Sequence, residues 1–150
     1  MAQPRTYSFL NVKASITGPN GVFSLGDGAG VSDEGLTLEF IEAKNTMVVG
    51  ADGSYMHSLH ASKGGKATVR LLKNSPTNAL LSAMYNADTT DPSSHGQNVI
   101  AVSDLLALDI AACGGCAFER HPNLVYSKDG QMLEWTWNVG QLDIMLGDGL

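Results

Sequence analysis

The sequence predicts a mainly β, α+β domain: an antiparallel barrel- or sandwich-like sheet with one flanking helix. Three observations carry this. Apolar and polar residues alternate with period two along much of the chain, as in half-buried strands. Turns rich in glycine interrupt the alternation, and the 17 glycines against 5 prolines suit strands joined by tight turns. A single stretch near residue 80 changes to helical spacing. With 150 residues and 43% hydrophobic content, the chain reads as one domain, residues 1–150, able to bury a single core.

The first strand, residues 6–16, is rich in aromatic and β-branched side chains and ends at Gly18-Pro19-Asn20-Gly21. Val22, Phe23 and Leu25 form the return. Residues 26–35 hold four glycines and three acids and read as a loop. Leu36, Leu38 and Phe40 then alternate with Thr37, Glu39 and Ile41, which assigns the first three to the core. Strands at 47–51 and 55–61 flank Asp52-Gly53, the signal of a type I′ hairpin. Another strand, 67–72, follows Gly64-Gly65. Ser75 is placed to cap the helix and Pro76 to begin it, with Thr77, Leu80, Leu81 and Met84 on one face. The polar segment 86–96, with Asp91-Pro92 inside it, ends the helix. Strands at 99–102, around 105–110, 116–119, 133–139 and 141–146 complete the sheet, with a second hairpin signal at Asp129-Gly130. In the 133–139 strand, Leu133, Trp135, Trp137 and Val139 share the core face, and Glu134, Thr136 and Asn138 take the other.

Charge excludes one class of function. Nine basic residues face fifteen acidic ones, a formal charge of -6, and no strong basic cluster is present. Stable nucleic-acid binding needs an excess of cations to neutralise phosphates, so it is disfavoured. The first six residues carry no secretory signal, and the longest apolar run, 105–112, is broken by Asp109. It falls short of the roughly 18 residues of a membrane span. These features predict a soluble protein made in the cytoplasm, with its two cysteines as thiols.

Motifs that resemble catalytic or metal chemistry are weak. Cys113-Gly-Gly-Cys116 offers half a zinc site, with His57 and His60 as the other half. Three positions apart in a strand, those histidines point to opposite faces, and no helix begins at the cysteine pair as a redox site would need. The plain reading is two small, partly buried residues around a Gly-Gly bend. Gly26-Asp27-Gly28-Ala29-Gly30 lacks the lysine and helix of a phosphate loop. His95 and His121 form no nucleophile–base pattern with Ser24, Ser58 or Ser62. No catalytic, cofactor-binding or metal residue is expected, and the protein is not expected to be an enzyme.

A longer pattern is more informative. Residues 34–47, beginning Glu34-Gly35-Leu36-Thr37-Leu38-Glu39-Phe40, run into Val48-Val49-Gly50-Ala51-Asp52-Gly53-Ser54-Tyr55-Met56-His57-Ser58. Asn74-Ser75-Pro76-Thr77-Asn78-Ala79 opens the helix, Met84-Tyr85-Asn86 closes it, and Asp129-Gly130-Gln131-Met132-Leu133-Glu134-Trp135 follows. From about residue 7 to 147 this resembles the tail-tube family of contractile-tailed phages and prophages. The resemblance implies a virion structural protein whose copies form hexameric rings stacked into a hollow tube. Such a tube has the sheath, baseplate and tape-measure proteins as partners, and DNA passes through without sequence-specific binding. It further implies that the hairpin segment 43–65 projects and packs on the next ring, with Asn45, Met47, Asp52, Tyr55 and Met56 as contacts. Glu39 and Glu134, opposite the core face of their strands, become lumen candidates in a polar, net acidic channel. Two other readings stay open: a tube component of a related injection device, and a β-barrel metal-binding or enzymatic module.

Overall fold

The computed structural model describes residues 6–26 and 31–147, the side chains of residues 31–34 excepted. After a 3-10 turn, Phe9–Asn11, come β1 (Val12–Gly18), β2 (Gly21–Ser24), β3 (Val31–Phe40), β4 (Asn45–Val49), β5 (Tyr55–Leu59) and β6 (Gly65–Leu72). The helix α1 (Thr77–Thr90) follows, then β7 (Asn98–Asp104), β8 (Ile110–Arg120) and β9 (Met132–Met145). Among the described residues, seven strands form one antiparallel sheet in the order β2-β1-β7-β8-β9-β6-β3, and β4 and β5 pair only with each other. The mainly β architecture with one helix is as the alternation predicts.

The barrel expectation is corrected. Among the described residues, β2 and β3 are the two edges of an open sheet and do not pair. The sheet curls without closing, so that Leu36 and Leu38 near one edge line a cleft with Tyr7, Phe9, Val12 and Val102. One face is the core. Trp135, Trp137, Ile16, Ile100, Val69 and Leu71 are fully buried there, and Leu81 and Met84 of α1 cover them. The Trp135 Nε1–H donates to Asn78 Oδ1 at 3.0 Å, which fixes the start of the helix on the sheet.

Several local expectations differ from the structure for identifiable reasons. The 26–35 loop is shorter, because β3 already begins at Val31; Gly35, at φ +67°, accommodates the register irregularity before Leu36. Residues 27–30 of the phosphate-loop look-alike lie outside the described residues. Phe40 is not in the core but 48% exposed, at the end of an edge strand where the chain leaves for the hairpin. Leu80 is likewise exposed, since the buried helix positions are Thr77, Leu81, Met84 and Asp88. Pro76 is the N-cap rather than the first helical residue, and the Ser75 hydroxyl accepts from Thr77 N–H at 3.3 Å. The helix runs on to Thr90, stopping at Asp91, which precedes a proline and is extended.

Residues 105–109 form a turn, not a strand. The Asp104 carboxylate accepts from Leu106 N–H at 3.0 Å and Ala107 N–H at 3.2 Å, which holds the backbone curled. β9 is one strand through Gly140, not two. Asp129-Gly130 lies within the 121–131 loop that joins β8 to β9, so no two-residue hairpin occurs there. At the tip of β4–β5, Gly53 has φ +89° but Asp52 is not left-handed, so the turn is not type I′. Instead Gly53 N–H donates to Gly50 O at 3.1 Å and Gly50 N–H to Ser54 O at 2.6 Å.

Candidate assembly surfaces

The polar face of the sheet is the first surface. Strand alternation puts Thr37 and Glu39 of β3, Lys66, Thr68 and Arg70 of β6, and Glu134 and Thr136 of β9 beside one another, opposite the core. The structure therefore brings both lumen candidates, Glu39 and Glu134, onto one face of one sheet. Its charges are interlocked: Arg70 Nε lies 2.9 Å from Glu134 Oε2, and Lys66 Nζ 3.2 Å from Glu119 Oε1. Both pairs are substantially exposed, so they contribute little stability. Their effect is on the potential, because each cation is held beside a carboxylate.

The hairpin is the second surface. In its register Met47 faces His57, Val48 faces Met56 and Val49 faces Tyr55. Asn45, Met47, Val49, Tyr55, His57 and Leu59 share one face; Thr46, Val48, Met56 and Ser58 take the other. Met47, Val48, Val49, Tyr55, Met56 and Leu59 are each more than half exposed, so neither face is covered. Asp52 sits at the tip, where its carboxylate accepts from Ser54 N–H at 3.0 Å. The Ser54 side-chain hydroxyl, together with that N–H, lowers its pKa. Asn45 Nδ2 and His57 Nδ1 meet at 3.2 Å, and Tyr55 stands edge-on to His57 at 5.3 Å. His60 Nε2 lies 2.8 Å from Thr46 Oγ1 on the other face. The two histidines thus look away from each other, as the alternation predicts.

The cysteines depart from expectation. Both are fully buried, and both point into the core although they lie three apart in one strand. A β-bulge is the reason: Asn98 pairs with Cys116 and Ile100 with Cys113, so the bulge adds one residue to β8. Gly115, at φ +63°, supplies the left-handed residue. The hydrogen bond that Cys116 shares with Cys113, helped by burial, pushes the Cys116 pKa far up, so it stays a thiol. His121 is half-buried between Tyr85 and Trp135, with Nε2 3.1 Å from Ser82 Oγ and Nδ1 2.9 Å from the backbone carbonyl of Pro122. It reads as a packed, tautomer-fixed histidine.

The sequence matches the family of the bacteriophage PhiTE tail tube protein over residues 4–147. The chain belongs to this family. Its role as a tail tube family member is structural and tail-related. No curated protein sequence matches it significantly. Solved structures similar in fold include a chain of the anti-feeding prophage cap, the tube-terminating cap. That likeness has a TM-score of 0.58 and 10% identity, over 98% of this chain and 95% of the other. A chain of the 6-fold symmetrised anti-feeding prophage baseplate is similar at TM-score 0.55 and 15% identity, over 99% of each chain. At such identities the likeness is one of fold. Among the described residues, no helix is long and apolar enough to cross a membrane.

Sequence reasoning missed a third surface. Leu105, Leu108, Ile110, Met145 and Leu146 are all more than half exposed at one end of the sheet. The signal that could have found it is Asp104 before a leucine-rich run, a side chain suited to starting a turn.

Proposed function

We propose that this chain is the repeating subunit of the inner tail tube of a contractile-tailed phage, without catalytic activity. Six copies join edge to edge into a ring, rings stack into a hollow tube, and the genome passes through on ejection. The observation that carries this reading is an open sheet whose two edges are unpaired among the described residues, one polar face, and an apolar hairpin attached. An open edge presents a row of unpaired backbone donors and acceptors, which a neighbouring strand satisfies. β2 of one copy beside β3 of the next repeats that contact around a closed ring. The 6-fold symmetry of the similar baseplate chain supports six as the copy number.

Within that ring the polar face lines the channel, with Glu39 and Glu134 toward the axis. Phosphates are retained where cations are free to replace counterions; here Lys66 and Arg70 sit beside carboxylates. The helix side faces the sheath, the tape-measure protein occupies the channel during assembly, and the baseplate meets one end. The hairpin, through Asn45, Met47, Asp52, Tyr55 and Met56, packs on the next ring. The subunit is made in the host cytoplasm and resides in the virion. The anti-feeding prophage likenesses favour one second reading, a tube component of a related contractile injection device. Negative-stain images of the purified protein test the proposal: rings or rods are expected, and monodisperse monomers at every concentration would overturn it.

A further inference from the structure

The turn between β1 and β2 carries a reactive pair. Gly18 and Gly21 are cross-strand partners, so Pro19 and Asn20 are the two corner residues, and Asn20 is exposed. Proline suits the first corner because its φ is already fixed. The fold then obliges glycine after Asn20 on two grounds. Gly21 has φ +155°, where residues with side chains are rarely found, and a Cβ there would fall 2.7 Å from Cε1 of the Phe23 ring. Nothing on Gly21 itself therefore obstructs its backbone nitrogen from reaching Asn20 Cγ. Every other asparagine of the chain, the exposed Asn45, Asn74 and Asn123 among them, is followed by a residue with a side chain.

The Asn20 amide also has a structural partner. Its Nδ2 donates to Oδ1 of Asp88, near the end of α1, whose side chain is 1% exposed. The other oxygen of that carboxylate accepts from Asn98 Nδ2 at 2.7 Å. An acid at position 20 would bring a second carboxylate against the first.

From this arrangement we infer that Asn20 is a site of spontaneous deamidation, and that the reaction unlatches the β1–β2 turn from α1. The Gly21 nitrogen attacks Asn20 Cγ and gives up its proton to hydroxide from solvent. The Cγ–Nδ2 bond breaks, ammonia leaves with a proton from water, and a succinimide remains. Water opens that ring at either carbonyl, yielding aspartate or, with the main chain rerouted through Cβ, isoaspartate. The net exchange is one water in and one ammonia out. The donor of the Asn20–Asp88 bond is thereby replaced by an acceptor. Two carboxylates in contact disfavour each other's ionisation, so the pair shares a proton or moves apart. Moving apart releases the turn that leads into β2, an edge strand. The inference is independent of the tube reading.

The test ages purified full-length protein in warm, mildly alkaline buffer, maps its peptides by mass spectrometry and follows urea unfolding alongside. Conversion at Asn20 should run well ahead of conversion at Asn45, Asn74 and Asn123. The aged protein and Asn20→Asp should both show an unfolding equilibrium constant raised about tenfold, the weight of one pKa unit within the carboxylate pair. Asn20→Ala removes the bond without adding a charge and should lose less. Asn20→Asp combined with Asp88→Asn should recover most of the loss, because one amide again donates to one carboxylate. The aged wild type supplies both readouts if Asn20→Asp alone does not fold. Conversion at Asn20 no faster than at the other three exposed asparagines overturns the site. Conversion without loss of stability, or a loss in Asn20→Asp that Asp88→Asn does not relieve, overturns the latch.

Discussion

Asp88 is buried in the final turns of α1, where its carboxylate accepts from Asn20 Nδ2 and, at 2.7 Å, from Asn98 Nδ2. One side chain thereby joins the helix, the β1–β2 turn and the start of β7. Asp88→Ala leaves the buried Asn98 amide without its acceptor, and such an orphan costs about 1–3 kcal/mol. A loss of that size in urea unfolding is expected; a change within error would show the network to be dispensable. Gly18 belongs to the same cluster, since a Cβ there would fall 1.8 Å from Asn98 Oδ1. None of this was legible beforehand, because Asn20 is 68 residues from Asp88. A polar residue whose partner is distant in sequence looks like a loop residue, so the polar segment from Asn86 reads as the end of a helix that in fact runs to Thr90. At the same scale, Cys113 and Cys116 should resist a thiol reagent at pH 8 in the native protein and react fully once unfolded. Rapid labelling of the native fold would contradict their burial. Purified protein should also contain no stoichiometric zinc, and a chelator should leave its melting temperature unchanged; one zinc per chain would refute the thiol reading.

Elements were legible where alternation is strict and illegible where a bulge resets it. Leu133, Trp135, Trp137 and Val139 fall on the core face, as their spacing predicts. In β8 the extra residue at Gly114-Gly115 reverses the phase, and no periodicity count anticipates which residue is the extra one. A Cβ at Gly115 would meet nothing nearer than 3.8 Å, so Gly115→Ala is opposed by backbone strain rather than by a clash. Placing alanine in the left-handed region costs roughly 1–2 kcal/mol. The hairpin was legible as a hairpin, but its turn type was not, because one left-handed glycine suffices where two residues were expected. Met47→Asp should leave stability within about 0.5 kcal/mol, as for an exposed substitution. It should nevertheless yield subunits that form rings poorly or do not stack. Normal rods from that variant would remove the hairpin from the assembly contacts.

At the scale of the whole molecule, β9 sets a length. Its 14 residues, at about 3.4 Å each, span at most roughly 48 Å, so the repeat between rings should not exceed that value if the strands run from ring to ring. In the proposed tube, the channel is an electrostatic matter. Glu39→Lys adds a cation to every copy, and at physiological salt its field extends about 8 Å before screening. Tubes should still assemble, and genome ejection should slow, most at low salt; unchanged ejection at low salt would take Glu39 off the channel wall. The face of the sheet that looks toward the axis is the point on which the account turns. A three-dimensional electron microscopy map of tubes assembled from the purified protein measures it directly. Six copies per ring are expected, with Thr37, Glu39, Thr68, Glu134 and Thr136 lining a hollow centre and α1 outside. A solid filament, or a channel lined by the helix or mainly by lysine and arginine, would contradict it.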